Sequence, residues 1–211
     1  DQTYALWQVS QEGLGMTFFP LGEYAKTETR KIAEKLGLKT AHEPDSQEIC
    51  FVPNDDYREL LEIRIPDLKK KLGNGDIVYH DKKIGTHKGF PYYTIGQRRG
   101  LNVSAGKPLY VSKIDSENNT VYVDDESGLY NTTFVAKDIN LMKYEKLESP
   151  IKAKVKIRYK DAGSSATLEQ INQTEIKVTF DEPKKSITPG QSAVFYEGDD
   201  VVGGGIIAIN N

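Results

Sequence analysis

Three stretches of this chain carry residue types and spacings that could do chemistry. The first is Asp45-Ser46-Gln47-Glu48-Ile49-Cys50-Phe51, which holds the only cysteine. A lone thiol forms neither an intramolecular disulfide nor a multi-cysteine metal site. Cys50 is either a small buried hydrophobe or a nucleophile and sulfur carrier working alone. Its neighbours Ile49 and Phe51 suit the first role. The loop-like Glu43-Pro44-Asp45-Ser46 and Pro53-Asn54-Asp55-Asp56 on either side suit the second, because a thiol between loops is accessible. Reactivity requires the thiolate, so a pKa of about 8.5 must fall or a base must assist. The nearby Asp45 and Glu48 are acids and would raise it. Activation must therefore come from folded partners or from the substrate.

The second stretch runs from Gly85 to Leu101 and combines four glycines, the aromatics Phe90, Tyr92 and Tyr93, and the pair Arg98-Arg99. Glycines permit close backbone approach, aromatic rings stack on bases, and arginines bind phosphate. A glycine-rich array of β-turns with a solvated arginine pair explains the same residues. The stretch is not a nucleotide P-loop, since the Gly-Lys-Ser/Thr ending is absent. The third is Ile151–Lys160, where Lys152, Lys154, Lys156, Arg158 and Lys160 alternate with apolar residues. Five cations on one strand face form either a solvated outer face or a positive stripe suited to a phosphate backbone. His42, His80 and His87 show no metal-ligand spacing, and no metal is expected. His87 reads as structural. Gly203-Gly204-Gly205 lacks the strand-to-helix setting of a dinucleotide site.

The elements that must position these residues fall into two regimes. Up to Leu72 the pattern is helical. Ile32, Ala33 and Leu36 recur at helical spacing, with Thr27 as N-cap and Gly37 as the left-handed terminator. Asn54 or Asp55 caps a second helix that turns Tyr57, Leu60 and Leu61 inward. Pro66 opens a third, with Lys69, Lys70 and Lys71 near its C-terminal dipole. From Asp76 onward, short strands and Gly/Asn turns take over. A hairpin is expected over Leu109–Ile114 and Val121–Val123 around Asn118-Asn119. The clearest strand spans Ile151–Lys160, with Ile151, Ala153, Val155, Ile157 and Tyr159 on its inner face. Thr167–Ile171 pairs with Glu175–Phe180, and Ser192–Tyr196 with Val201–Ile209. Even spacing of short strands points to a closed barrel.

Composition bounds the function. The formal charge is -3 and the pI about 5.7, so any nucleic-acid surface must be local. No apolar run approaches the roughly 20 residues of a membrane helix. A single cysteine fits a reducing, cytoplasmic setting. The chain opens Asp1-Gln2-Thr3-Tyr4 without an initiator Met, and reads as part of a longer protein.

Taken together, several stretches resemble the tRNA-specific 2-thiouridylases. They are Asp1-Gln2-Thr3-Tyr4, Phe19-Pro20-Leu21-Gly22 with Arg30-Lys31-Ile32-Ala33, and the Cys50 stretch. Thr94-Ile95-Gly96-Gln97-Arg98-Arg99-Gly100-Leu101 follows, then Ile157-Arg158-Tyr159, Thr188 to Tyr196, and Gly203-Gly204-Gly205-Ile206-Ile207. The resemblance spans essentially the whole chain. It implies ATP-dependent 2-thiolation of the wobble uridine of tRNA. Cys50 would carry sulfur as a persulfide, and a second cysteine would release it through a disulfide. It implies tRNA contacts at Asp1, Gln2, Arg158, Tyr159 and Gln191, with Gln97, Arg98, Arg99, Lys152, Lys154 and Lys156 as further candidates. The implied partners are tRNA and a sulfur-donating protein. The expected architecture is mainly β with a helical N-terminal segment: residues 1–47 as the helical tail of an ATP-pyrophosphatase domain, 48–131 as a small central α+β domain, and 132–211 as an antiparallel β-barrel like that of elongation factors. Three features depart from the family. The Ser-Gly-Gly-x-Asp-Ser loop of its ATP site and the second cysteine are not in this chain, so the chain alone is expected to be inactive. Gln47-Glu48 also replaces the common Thr-Gly before Ile-Cys. Two rival readings stand beside the resemblance: a noncatalytic RNA-binding barrel with a structural cysteine, and a general thiol sulfur carrier.

Overall fold

A computed structural model describes residues 2–43, 52 and 56–208; Cys50 and its flanking loops, with Asn54 and Asp55, lie outside the described residues. The chain divides into two compact units, Glu12–Leu68 on the one hand and Asp1–Gln11 with Lys69–Asn211 on the other.

A short helix, α1 (Thr3–Leu6), lies in the N-terminal segment of the larger unit. The smaller unit is helical, with α2 (Gln11–Gly15) at its start and then α3 (Lys26–Lys35). Its cap is Ala25 rather than the expected Thr27, because the Glu28 carboxylate reaches back to accept the Ala25 N–H at 2.8 Å. Gly37 terminates it at φ 66°, with Gly37 N–H on the Glu34 carbonyl and Leu38 N–H on the Ala33 carbonyl. The expected inner face is only half realised. Ile32 and Ala33 are half-buried, whereas Leu36 is 69% exposed. In α4 (Tyr57–Arg64) the cap is Asp56, whose carboxylate accepts the Arg58 N–H at 2.9 Å. Leu60 and Leu61 are half-buried, and Tyr57 lies at the exposed edge. Pro66 does not open the next helix. Asp67 sits at φ 59°, outside right-handed helical space, so α5 starts two residues after Pro66 and spans Leu68–Leu72.

The larger unit holds two β-structures. The first is a four-stranded sheet of β1 (Gly75–Tyr79), β2 (Lys82–His87), β3 (Tyr110–Asp115) and β4 (Thr120–Asp124), in the order β2-β1-β4-β3. The expected hairpin is β3–β4. Asn119 supplies its positive φ of 48°, and Asp115 accepts the Glu117 and Asn118 N–H groups. Ile77, Val111, Val121 and Val123 fill this core.

The second structure is a closed barrel of β5 (Tyr130–Leu141), β6 (Ile151–Lys156), β7 (Ser164–Asn172), β8 (Glu175–Lys185), β9 (Ser192–Glu197) and β10 (Asp200–Ile207). Its order is β10-β5-β8-β7-β6-β9, with every neighbouring pair antiparallel. Strand alternation fills the interior with Phe134, Val155, Leu168, Val178 and Phe195, each fully buried side chain contributing about 1.5–3 kcal/mol. The strand expected to reach Lys160 stops at Lys156. Ala153, Val155 and Ile157 are buried as expected, but Tyr159 is 55% exposed, because the chain has already turned away from the barrel wall.

Candidate nucleic-acid interface

That turn, residues 157–163, is organised by one carboxylate. Asp161 accepts the Ile157 N–H at 3.1 Å on one oxygen and the Gly163 N–H at 3.0 Å on the other. Its own N–H bonds the Arg158 carbonyl at 3.1 Å. Lys184, from the adjoining end of β8, places its ammonium 2.8 Å from Asp161 and 2.8 Å from the Ser164 hydroxyl. Burial pushes the Asp161 pKa up, but the Lys184 bond and the two backbone N–H groups outweigh it, so the carboxyl sits below its ordinary range. The turn presents Arg158 and Tyr159. Arg158 spends one guanidinium nitrogen on the carbonyls of Lys185 and Ser186, at 3.0 and 2.9 Å. The other N–H groups of the fork meet no acceptor among the described residues, which leaves them for an external anion.

Tyr159 rests edge-on against Tyr4, with ring centroids 6.1 Å apart at 73°. Tyr4 donates its hydroxyl hydrogen to the Ser192 carbonyl at 2.7 Å. Burial pushes its pKa up to about 12, with Tyr196 and Asp161 adding and Arg158 opposing. Thr3 meets the Tyr196 hydroxyl at 3.2 Å. The segment is anchored by Trp7, buried on Val194 and Tyr196, and by Asn140, whose amide donates to the Trp7 and Val9 carbonyls at 2.7 and 3.1 Å. Through the Tyr4–Tyr159 contact the structure thus brings the segment of Gln2 to Tyr159 across 155 positions of sequence. Asp1 lies outside the described residues.

The lysine stripe is less uniform than its spacing suggests. Lys152 is ion-paired to Asp181 of β8, which also accepts the Ser165 hydroxyl at 2.6 Å. An acid from the strand two places away in the barrel therefore enters a face that its own strand leaves wholly basic. Lys154 is exposed. Lys156 lies 4.9 Å over the Tyr196 ring. Thr3, Lys154, Lys156 and Tyr196 line one depression of about 350 Å³.

The glycine-rich stretch joins the same region. Gly96 has φ 83°, and a Cβ there would lie 2.9 Å from the Ser186 hydroxyl, so only glycine lets the turn rest on the residue whose carbonyl Arg158 holds. The Gln97 amide is spent on the turn itself, accepting the Thr94 N–H at 3.1 Å and donating to the Arg99 carbonyl at 2.9 Å. Arg98 and Arg99 are exposed. Gly96, Arg158, Lys160, Asp161, Lys184 and Lys185 line a cavity of about 590 Å³ with an excess of positive charge. Gln191 is exposed but lies elsewhere, on a cleft of about 650 Å³ between the central sheet and the barrel, beside Phe90, Tyr93 and Asn131. The spacing argument missed Tyr4, Asp161 and Lys184. Asp161 was findable as the first acid after five alternating cations; Lys184 carries no such signal.

His87 is structural as expected. It is buried, and its Nδ1 accepts the Gly89 N–H at 3.0 Å. No group of three His, Cys, Asp or Glu among the described residues is placed to hold a metal. The two described helices of eight or more residues carry carboxylates at their N-termini, Glu28 on α3 and Asp56 on α4, so neither N-terminus fits the phosphates of ATP. No helix of the described residues is long and apolar enough to cross a membrane.

Known families match along the chain. Residues 1–54 match the model described as the tRNA methyl transferase HUP domain, 67–125 the tRNA methyl transferase PRC-barrel domain, and 131–207 the aminomethyltransferase beta-barrel domain. The tRNA-specific 2-thiouridylase MnmA of Chlorobium phaeobacteroides is 44% identical over 212 residues, covering 100% of this chain and 59% of the relative. That of Natranaerobius thermophilus is 46% identical over 208 residues, covering 98% and 56%, and that of Acetivibrio thermocellus 45% over 210 residues, covering 98% and 57%. The chain therefore spans less than two thirds of the length of the curated relatives it matches. With 44–46% identity sustained over 98–100% of the chain and three successive domain models matched in order along it, the chain belongs to the tRNA-specific 2-thiouridylase family.

Proposed function

We propose that this chain is the sulfur-carrying and tRNA-holding part of an ATP-dependent enzyme that thiolates the wobble uridine of tRNA. Cys50 receives sulfur from a donor protein as a persulfide. The terminal sulfur attacks C2 of the uridine; a C–S bond forms and the activated oxygen leaves. A second cysteine of the parent then attacks the Cys50 sulfur, the S–S bond breaks toward the nucleoside, and Cys50 is left in a disulfide that a reductant must open. Activation of the uridine oxygen by ATP belongs to other residues than the described ones. The target base leaves its stack to reach the thiol. Arg158, Lys154 and Lys160 hold backbone phosphates, and Tyr159 offers a ring to an unstacked base. Asp1, Gln2 and Gln191, with Arg98 and Arg99, extend the contact.

The observation that carries this reading is the 44–46% identity to proteins named tRNA-specific 2-thiouridylase along the whole chain. The convergence of the Gln2 segment, Arg158 and Tyr159 on one side of the barrel supports it. The test uses the full-length protein. Cys50→Ser should abolish 2-thiouridine formation while tRNA still binds, and mass spectrometry should find an added sulfur on Cys50 after incubation with a cysteine desulfurase. A Cys50 that never takes up sulfur would leave a noncatalytic RNA-binding barrel. Sulfur uptake without any tRNA binding would leave a general sulfur carrier. A methylated product in place of a thiolated one would favour the methyl transferase wording of two of the domain models. The 211-residue chain alone should neither hydrolyse ATP nor thiolate tRNA.

A further inference from the structure

Asp161 is an acid in the middle of a basic surface of the barrel. It stands among Arg158, Lys160, Lys184 and Lys185. On a face that meets phosphates, an acid is a repulsive element, and removing it should tighten binding. Its bonds argue the opposite. Its side chain is only 12% exposed, and that of Lys184 only 20%. Both carboxylate oxygens are turned inward, onto Ile157, Gly163 and Lys184. Its backbone N–H fixes the Arg158 carbonyl. The residue thus bonds the turn on both sides of Arg158 and Tyr159, while Lys184 neutralises its charge and ties the turn to the end of β8. That same end of β8 supplies the Lys185 and Ser186 carbonyls that hold Arg158. Backbone and guanidinium of Arg158 are therefore referenced to one strand end.

We infer that Asp161, with Lys184 as its counter-ion, is a positioning residue that presets Arg158 and Tyr159 for a phosphodiester and its neighbouring base. This rests on the proposed tRNA-binding role of Arg158. Ordering the turn before binding removes the entropy that an exposed arginine and tyrosine would otherwise lose on contact. The charge of Asp161 is the means of that ordering. A neutral amide has one acceptor oxygen for the two backbone N–H groups, and its NH₂ would face either a donor hydrogen or the Lys184 ammonium.

The test is Asp161→Asn in the full-length protein, with Arg158→Ala and the double variant, each titrated with unmodified tRNA over a range of salt. Asp161→Asn is near-isosteric, and circular dichroism and a melt confirm that it folds. The expected result is about tenfold weaker binding, the worth of one charge-assisted hydrogen bond. The slope of log K against log salt should flatten by about one phosphate contact, as it does for Arg158→Ala. In the Arg158→Ala background, Asp161→Asn should cost less than threefold, because the residue through which it acts is gone. A merely structural Asp161 would lower the melting temperature and give additive losses in the double variant. Tighter binding by Asp161→Asn, or additivity, overturns the positioning role. If Arg158→Ala itself changes neither affinity nor slope, the RNA-contact reading of this face fails, and the positioning role with it.

Discussion

Replacing Gly204 by Ala tests how the N-terminal segment is seated. A Cβ built on Gly204 would lie 2.7 Å from Trp7 Cδ2, 2.8 Å from Trp7 Cγ and 2.8 Å from the Ala193 carbonyl oxygen. The carbonyl belongs to β9, which pairs with β10 in the barrel wall, so that side yields least. The strain falls on the indole. Overpacking of this kind costs about 1–3 kcal/mol. Removing a buried Trp outright costs about 3–5 kcal/mol, so the added methyl weakens the anchor without releasing it. The two Asn140 bonds to the Trp7 and Val9 carbonyls oppose release further. Trp7 is the only tryptophan of the 211-residue chain, and its emission reports on its own seat. The expected outcome is a small red shift, partial access to iodide quenching, and exchange of the Val9 amide about 5- to 150-fold faster. The melting temperature should fall by about 2–4 °C per kcal/mol. An unchanged emission and melt would refute the close packing of Trp7 on Gly204. Quenching as complete as that of free indole would refute the ordering of the two energies.

Two further outcomes follow from titrating groups. Tyr4 has its pKa pushed up to about 12 from an ordinary 10.0, so its docking favours the protonated hydroxyl, which donates to the Ser192 carbonyl. That contribution is complete below pH 10 and is lost as pH rises through about 12. The Tyr144 hydroxyl, bonded to Glu197, is also pushed up, so phenolate absorbance should show a late phase of which Tyr4→Phe removes a part; an unaltered titration curve would count against the buried hydroxyl. Burial holds the His87 pKa below its usual 6.5, and protonating Nδ1 would break its bond from the Gly89 N–H. Its contribution is present above pH 6.5 and is lost as pH falls through its folded value. Denaturant midpoints measured between neutral pH and pH 5 should decline in the native chain and decline less in His87→Asn; parallel declines would remove His87 from the account.

Much of the fold was legible in local pattern. Alternation identified the inner residues of β6 and the β7–β8 pairing. Asn118-Asn119 marked the β3–β4 turn, and Gly37 the end of α3. These signals are local, set by side-chain period and by backbone conformations that few residues adopt. Helix starts were less legible. Thr27 and Pro66 are good caps by type, but Glu28 reaching back to Ala25 and the positive φ of Asp67 moved both boundaries. The motifs along the chain also carried the family, since a linear pattern of identities needs no coordinates.

The candidate site divides along the same line. The sequence by itself determined that Lys152 to Lys160 alternate, that Cys50 is alone and that Arg158-Tyr159 stand together. It left the stripe uniformly basic and Tyr159 in the core. Only the tertiary structure decided that Asp181 pairs with Lys152, that Tyr159 stands out against Tyr4, and that Asp161 and Lys184 lock the turn between them. The physical reason is that charge pairing and burial depend on distance through space. Barrel closure sets residues 23 to 155 positions apart side by side, and no spacing along one strand records which partner its neighbour will bring.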